Sequence, residues 1–203
     1  MKQETTHGIV LRYTPFKDRQ KILTIFSKTL GVLSLLLKQS SHTTCLSEPF
    51  CEAEWILSKR QGDLFYLQDV TLVNLHFPLR QKLSYLQTAS SMTSILLQSQ
   101  LPEKPAPHLY ELYRAFLQQI PQFACQKTLL GSFYLKLLRH EGVYKAPTPQ
   151  ATEEEKHLFS LLVNALRFQD LQDKLLPHDL FTSIEQMTWH ALCESSSYNT
   201  KFS

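Results

Sequence analysis

A chain of 203 residues, 43% of them hydrophobic, suits two small packed cores better than one large one. Five glycines, 19% charged residues and the lack of any low-complexity run leave no room for a disordered tail beyond the last few positions. The formal net charge of +3 is small, Met1 to Thr6 carries no apolar leader, and no stretch approaches the ~18 uninterrupted apolar residues of a membrane span, so the sequence reads as soluble and intracellular.

From His7 to about Asn74 the chain consists of short β-type runs: HGIVLRY, QKILTIFS, GVLSLLL, FCEAEWILS and LFYLQDVTLVN. In the fourth, Cys51, Ala53, Trp55 and Leu57 alternate with Glu52, Glu54 and Ser58, which predicts a half-buried antiparallel strand with its acids in water. Lys28-Thr29-Leu30-Gly31 and Lys59-Arg60-Gln61-Gly62-Asp63 read as turns. Five consecutive short strands favour closure, because closure removes exposed edges, and an OB-fold is the commonest barrel of that size. The fold class expected is α+β, an N-terminal five-stranded OB-fold-like β-barrel over residues 1–78 followed by an all-α domain over 79–203.

After Phe77-Pro78 the apolar period changes from two to about 3.6. Leu79, Leu83, Leu86, Ser90, Thr93 and Leu97 define the stripe of a first helix, ended by Pro102, Pro105 and Pro107. Leu109, Leu112, Tyr113 and Phe116 mark a second. A third runs through Leu129, Leu130, Phe133, Tyr134, Leu137 and Leu138 and stops near Gly142. Beyond the Ala146-Pro147-Thr148-Pro149 linker, Thr152 and Glu155 form a capping box for a helix through Leu158, Leu161, Leu162 and Leu166. Asp179 is placed to cap a last helix through Ile184, Met187 and Ala191, which Ser195-Ser196-Ser197 should fray.

Charge is unevenly spread: residues 1–78 carry 9 Lys/Arg against 7 Asp/Glu, residues 79–147 carry 8 against 3, and residues 148–203 carry 4 against 8. Single-stranded nucleic acid is usually held by cations for its phosphates and aromatic rings for its bases. The barrel offers Arg12, Lys17, Arg19, Lys21, Lys28, Lys38, Lys59 and Arg60 as candidate nucleic-acid contacts, with Tyr13, Phe16 and Tyr66 nearby. The plain alternative is an ordinary solvated surface, its cations balanced by seven acids. In the third helix, Lys136 and Arg139 adjoin Phe133 and Tyr134, a pattern suited to docking an acidic, hydrophobic-ended peptide, or simply to a core helix with solubilising charges.

Enzyme signatures are missing. Eight histidines are scattered without a His-Glu-x-x-His, Gly-x-Ser-x-Gly or phosphate-cradling glycine loop, and Glu153-Glu154-Glu155 is explained by a helix start. The cysteines at 45, 51, 125 and 193 form no Cys-x-x-Cys pair, so neither a metal nor a cofactor is expected.

Gly8-Ile-Val-Leu-Arg12, Lys21-Ile-Leu-Thr-Ile-Phe-Ser-Lys28 and Leu30-Gly31-Val32-Leu33-Ser34, together with Leu46-x-x-Pro49-Phe50, Gly62-Asp63-Leu64 and Leu79-Arg80, resemble the landmarks of the RecO family of recombination mediators. That resemblance implies a non-enzymatic DNA repair protein of the bacterial cytoplasm and nucleoid. It would bind and anneal single-stranded DNA, with double-stranded DNA a further ligand. It would also help load a recombinase onto strands coated by single-strand-binding protein, with RecR and the C-terminal tail of that protein as partners. An alternative is a protein–protein adaptor with little DNA binding of its own. Many family members hold zinc through four cysteines in the helical domain, whereas here Gly142-Val143-Tyr144 leads into Lys145-Ala-Pro-Thr-Pro149 with none. The basic run common after the third strand is replaced by Lys38-Gln-Ser-Ser-His-Thr-Thr44.

Overall fold

In the computed structural model, residues 3–17, 19–38, 45–59, 62–146 and 151–199 are described, the last five of these by backbone alone. β1 (Gln3–Pro15), β2 (Gln20–Ser27), β3 (Gly31–Lys38), β4 (Glu52–Lys59) and β5 (Leu64–Asn74) form where β-branched and aromatic side chains alternate. They close into a barrel in the order β1-β2-β3-β5-β4. All neighbours are antiparallel except β3 and β5, which run parallel over Ser34–Leu36 and Leu64–Tyr66. The expected five-stranded barrel followed by helices is therefore the fold observed.

Alternation decides what fills the barrel. Leu23 and Ile25 of β2, Leu33, Leu35 and Leu37 of β3, Ala53, Trp55 and Leu57 of β4 and Phe65 of β5 point inward and are buried together. Trp55 satisfies its indole N–H by donating to the Gly8 carbonyl at 3.0 Å. Gly31, at the β2–β3 turn, has φ +74°, and a Cβ there would stand 2.1 Å from the Lys104 carbonyl oxygen, so only glycine fits this approach.

The outer side of β4 differs from expectation. Glu54 is partly exposed, but Glu52 and Ser58 are 2% and 0% exposed rather than wet. Ser58 Oγ accepts from the Gln68 amide of β5 at 2.9 Å, and Glu52 is covered by a residue more than sixty positions downstream, Arg114. Partners outside β4, not alternation, bury these two polar groups.

Helices follow: α1 (Leu83–Ser99), α2 (Pro107–Gln119), α3 (Gln126–His140), α4 (Glu153–Asn164), α5 (Gln169–Gln172) and α6 (His178–Asn199). A 3-10 turn over Phe77–Gln81 buries Leu79 and resets the phase of α1. Its buried stripe is Tyr85, Thr88, Ala89, Met92, Thr93, Ile95 and Leu96, while Leu83 is 71% exposed, which corrects the expected stripe. The Thr152–Glu155 capping box is present in both directions. Leu166, expected on α4, lies beyond its end at 97% exposure. Asp179 sits in the first turn of α6, Phe181, Ile184, Thr188 and Leu192 keep one side of that helix buried, and its backbone continues past the serines to Asn199. No described helix is long and apolar enough to cross a membrane.

The chain separates into two compact units, Met1–Pro78 with Gln100–Arg114, and Leu79–Ser99 with Ala115–Ser203. The first unit thus contains the barrel and a returning segment through the first half of α2. That segment lies against the barrel, where Pro102 bridges to Val32, and Tyr110 and Tyr113 pack on Phe26 with ring centroids 5.7 and 6.3 Å away.

Candidate nucleic-acid interface

Strand register assembles an open face on the outside of β1, β2, β3 and β5. Thr24 pairs with Arg12 and with Ser34, and Ser34 with Leu64, giving one row. The next row is Thr14, Ile22, Leu36 and Tyr66, and beyond it Gln20 pairs with Lys38. All these residues are partly or fully exposed. At the other end the face stops at Phe26 and Val32, a pair covered by the returning segment. The open strip therefore has cations at its margins and Ile22, Leu36 and Tyr66 along its middle, a surface able to meet both phosphates and bases.

The β1–β2 hairpin adds to both sides of these strands, because Tyr13 pairs with Leu23 and Lys21 with Leu37, the inward-facing row opposite Arg12, Thr14 and Ile22. Its tip closes through Phe16 N–H donating to the Gln20 carbonyl at 3.0 Å and Gln20 N–H donating to the Lys17 carbonyl at 2.9 Å. Tyr13 and Phe16 are each 42% exposed. Lys21 Nζ lies 4.3 Å from the Tyr13 ring centroid and donates to Ser47 Oγ at 2.9 Å, and Lys17 Nζ lies 5.7 Å from the Phe16 ring. Arg12 Nε reaches Thr24 Oγ1 at 3.4 Å. Among the described residues, none of Arg12, Lys17, Arg19 and Lys21 forms an ion pair with a carboxylate.

Of the eight basic residues singled out in the sequence, the fold brings five to this end of the barrel: Arg12, Lys17, Arg19, Lys21 and, beside Gln20, Lys38. Two are engaged elsewhere in the first unit. Lys28 is paired with Glu111 at 2.7 Å, and Lys59 with Glu103. Arg60 lies outside the described residues, as do positions 39–44 of the loop after β3.

Sequence reasoning did not find the buried polar group behind the barrel wall. Glu52 Oε1 accepts from Arg114 Nε at 2.6 Å, and its Oε2 stands 3.5 Å from His76 Nε2, with both Glu52 and His76 almost fully buried. Burial pushes the Glu52 carboxyl up, but the His76 ring and the Arg114 guanidinium outweigh it and hold the group below its ordinary value. Burial, with Glu52 as the next influence, drives the nearby Tyr110 hydroxyl well above its usual range. Glu52, Tyr110, Glu111 and Arg114 border a recess of about 200 Å³. A glutamate on a strand's expected wet side carries no local sign of such pairing, since its partner comes from α2.

The aromatic and basic residues of α3 are placed differently from expectation. Phe133 is 0% and Tyr134 1% exposed. Phe133 packs against Phe116 at 5.4 Å and Tyr134 stacks on Phe181 at 6.4 Å, so the α3 groove expected to be open is filled by the second unit's own helices. Lys136 is half-buried and donates to the Val163 and Ala165 carbonyls at 3.0 and 2.8 Å, closing the end of α4. Burial, then the neighbouring Arg139, lowers its pKa. Arg139 alone of the four is exposed, and it donates to Asn164 Oδ1 at 2.8 Å.

Among the described residues no three His, Cys, Asp or Glu side chains are grouped so as to hold a metal ion. The chain is similar to known proteins over both units. A family model described as "Recombination protein O N terminal" matches residues 1–94. A DNA repair protein RecO of Chlamydia trachomatis serovar D is 30% identical over 230 residues, covering 96% of this chain and 94% of that one. Those of Chlamydia muridarum (32% over 139 residues, 66% of this chain and 59% of that one) and Syntrophus aciditrophicus (28% over 142 residues, 68% and 55%) match shorter stretches. With a closed five-stranded barrel, helices following it in the chain and a likeness that runs nearly end to end, the chain belongs to the family of the DNA repair protein RecO.

Proposed function

We propose that this RecO-family chain binds single-stranded DNA along the outer face of β1, β2, β3 and β5 and, by holding two strands or a strand and a partner, acts as an annealing and recombinase-loading mediator. The observation that supports this most is the convergence of Arg12, Lys17, Arg19, Lys21 and Lys38 on one end of the barrel, with Arg12 and Lys38 on the outer strip beside Tyr66, and Lys21 with Tyr13 on the opposite side of the same strands near Phe16. Phosphates gain from the cations and every base offers a face for stacking, so such a surface reads polynucleotide without reading sequence. On this reading the chain works by binding alone, without covalent chemistry, at the nucleoid. The barrel unit contacts DNA. The helical unit meets RecR and the tail of single-strand-binding protein, with Arg139 the remaining candidate contact on α3.

The test is annealing of complementary oligonucleotides, bare and coated with single-strand-binding protein. Acceleration of both, lost when Arg12 and Lys21 are changed to Gln, is the expected result; no acceleration of either would reject the mediator role. A second reading, an adaptor with little DNA binding, draws on the ion pairs that occupy Lys28 and Lys59. It requires capture of RecR or of the single-strand-binding protein tail with no oligonucleotide binding at low salt.

A further inference from the structure

The returning segment does more than cover apolar surface. Its Glu103 has φ +55°, a left-handed conformation that a non-glycine residue adopts at a cost and keeps only when its surroundings impose it. They do: Glu103 N–H donates to the Val32 carbonyl at 2.8 Å, the preceding Pro102 bridges to Val32, and the following Lys104 carbonyl is packed against Gly31. The glutamate is thereby fixed beside the open face, whose boundary is the Phe26–Val32 pair. There its carboxylate meets Lys59 Nζ, which also lies 5.1 Å from the Phe65 ring centroid. Lys59 is the last residue of β4 and pairs with the inward-facing Phe65, whose β5 neighbours Leu64 and Tyr66 turn to the open face, so Lys59 meets the rim of that face through its contact with Glu103.

From this geometry we infer that Glu103 is a built-in phosphate surrogate: it occupies Lys59 in the free protein and is displaced by a backbone phosphate of bound single-stranded nucleic acid. The inference rests on the reading of the face as a nucleic-acid surface and adds its regulation. Both members of the pair are a little over one-third exposed, so solvent weakens the contact and a competing anion can reach it. A phosphate with two unesterified oxygens can take over the carboxylate's place on the ammonium group. Because Glu103 is held by backbone contacts, its side chain can swing away without the segment leaving the barrel. The returning segment thus sets a threshold: weak or short ligands meet a neutralised Lys59, and a strand long enough to fill the face recruits it.

The test uses the full chain and labelled oligothymidylate in anisotropy titrations across salt. Glu103→Gln, isosteric and uncharged, should raise affinity roughly threefold to tenfold at about 50 mM salt and, by releasing Lys59 before binding, alter the salt dependence by up to about 0.7 in log–log slope. Glu154→Gln, which changes net charge equally at the start of α4, should change affinity less than twofold. In a Lys59→Gln background the gain from Glu103→Gln should vanish. Equal effects of Glu103→Gln and Glu154→Gln, or a gain that persists without Lys59, would overturn the inference while leaving the face intact. Failure of every variant to bind at any salt would overturn the underlying reading as well. Binding by Glu103→Gln alone would support the surrogate in its strongest form.

Discussion

The β1–β2 hairpin of the barrel and helix α3 of the second unit use the same ingredients, a pair of aromatic rings and a pair of cations within a few residues, and put them to opposite ends. On the hairpin, Tyr13 and Phe16 stay 42% exposed, with Lys21 and Lys17 over their rings. On α3, Phe133 and Tyr134 vanish into a core and Lys136 bends onto the last carbonyls of α4. The difference lies in what the element has beneath it. Among the described residues nothing buries the hairpin's two rings, whereas α3 packs against α1, α4 and α6 within the second unit. Aromatic and basic residues close together in sequence thus signal a binding surface only once the packing partners are known.

The sharpest way to break this comparison is Phe133→Ala. Truncating a fully buried ring should cost about 3–5 kcal/mol in denaturant unfolding, and DNA affinity should fall only with the folded fraction. An affinity loss in fully folded protein would mean that α3 is a binding surface after all. Next in size is Arg114→Ala, which strands the Glu52 carboxylate beside His76 and should destabilise the first unit by roughly 2–4 kcal/mol at neutral pH.

That second effect has a defined pH dependence. In the native protein the Glu52 pKa lies below its ordinary value of 4.5, so the group contributes stability above that pH, and the contribution is lost as pH falls through the folded value. Without Arg114, burial is opposed by His76 alone, so the carboxyl pKa rises relative to the native protein. Native and variant stabilities, measured between about pH 7 and pH 4, should therefore converge toward acid. A gap of constant size would show that Arg114 acts by packing alone.

A smaller change sharpens the hairpin side. Arg12→Gln and Lys21→Gln should each weaken single-stranded DNA binding about threefold to tenfold at low salt, with an unaltered unfolding midpoint. Smallest of all, Lys136→Met should cost about 1 kcal/mol through the two carbonyls it leaves, and should not alter the salt dependence of DNA binding.

Strand positions were legible because alternation of side chains is a local property: QKILTIFS and LFYLQDVTLVN coincide with β2 and β5. So were the capping box at Thr152 and the buried spacing of α3. The phase of α1 was not, because a 3-10 turn at Phe77–Gln81 rotates the helix relative to Leu79. The site was half legible. Composition could nominate the barrel's cations, but only the pairing of Gln20 with Lys38 and of Pro15 with Lys21 brings five of them together. Nothing near Lys28, Lys59 or Glu52 announces Glu111, Glu103 or Arg114, since each contact spans more than forty residues.

Where the phosphates are held distinguishes most directly between the barrel face and net charge. Changing Arg12, Lys17, Lys21 and Lys38 together to Gln, against a charge-matched set of Lys127, Arg139, Lys145 and Arg167, and titrating each with single-stranded oligonucleotide across salt, separates the barrel face from net charge. The barrel set should lower the log–log salt slope by about 0.7 per lost contact, approaching 3 in total, while the helical set follows the native curve. Equal losses from both sets, or a barrel set that binds as the native chain does, would contradict the assignment of DNA to the barrel face.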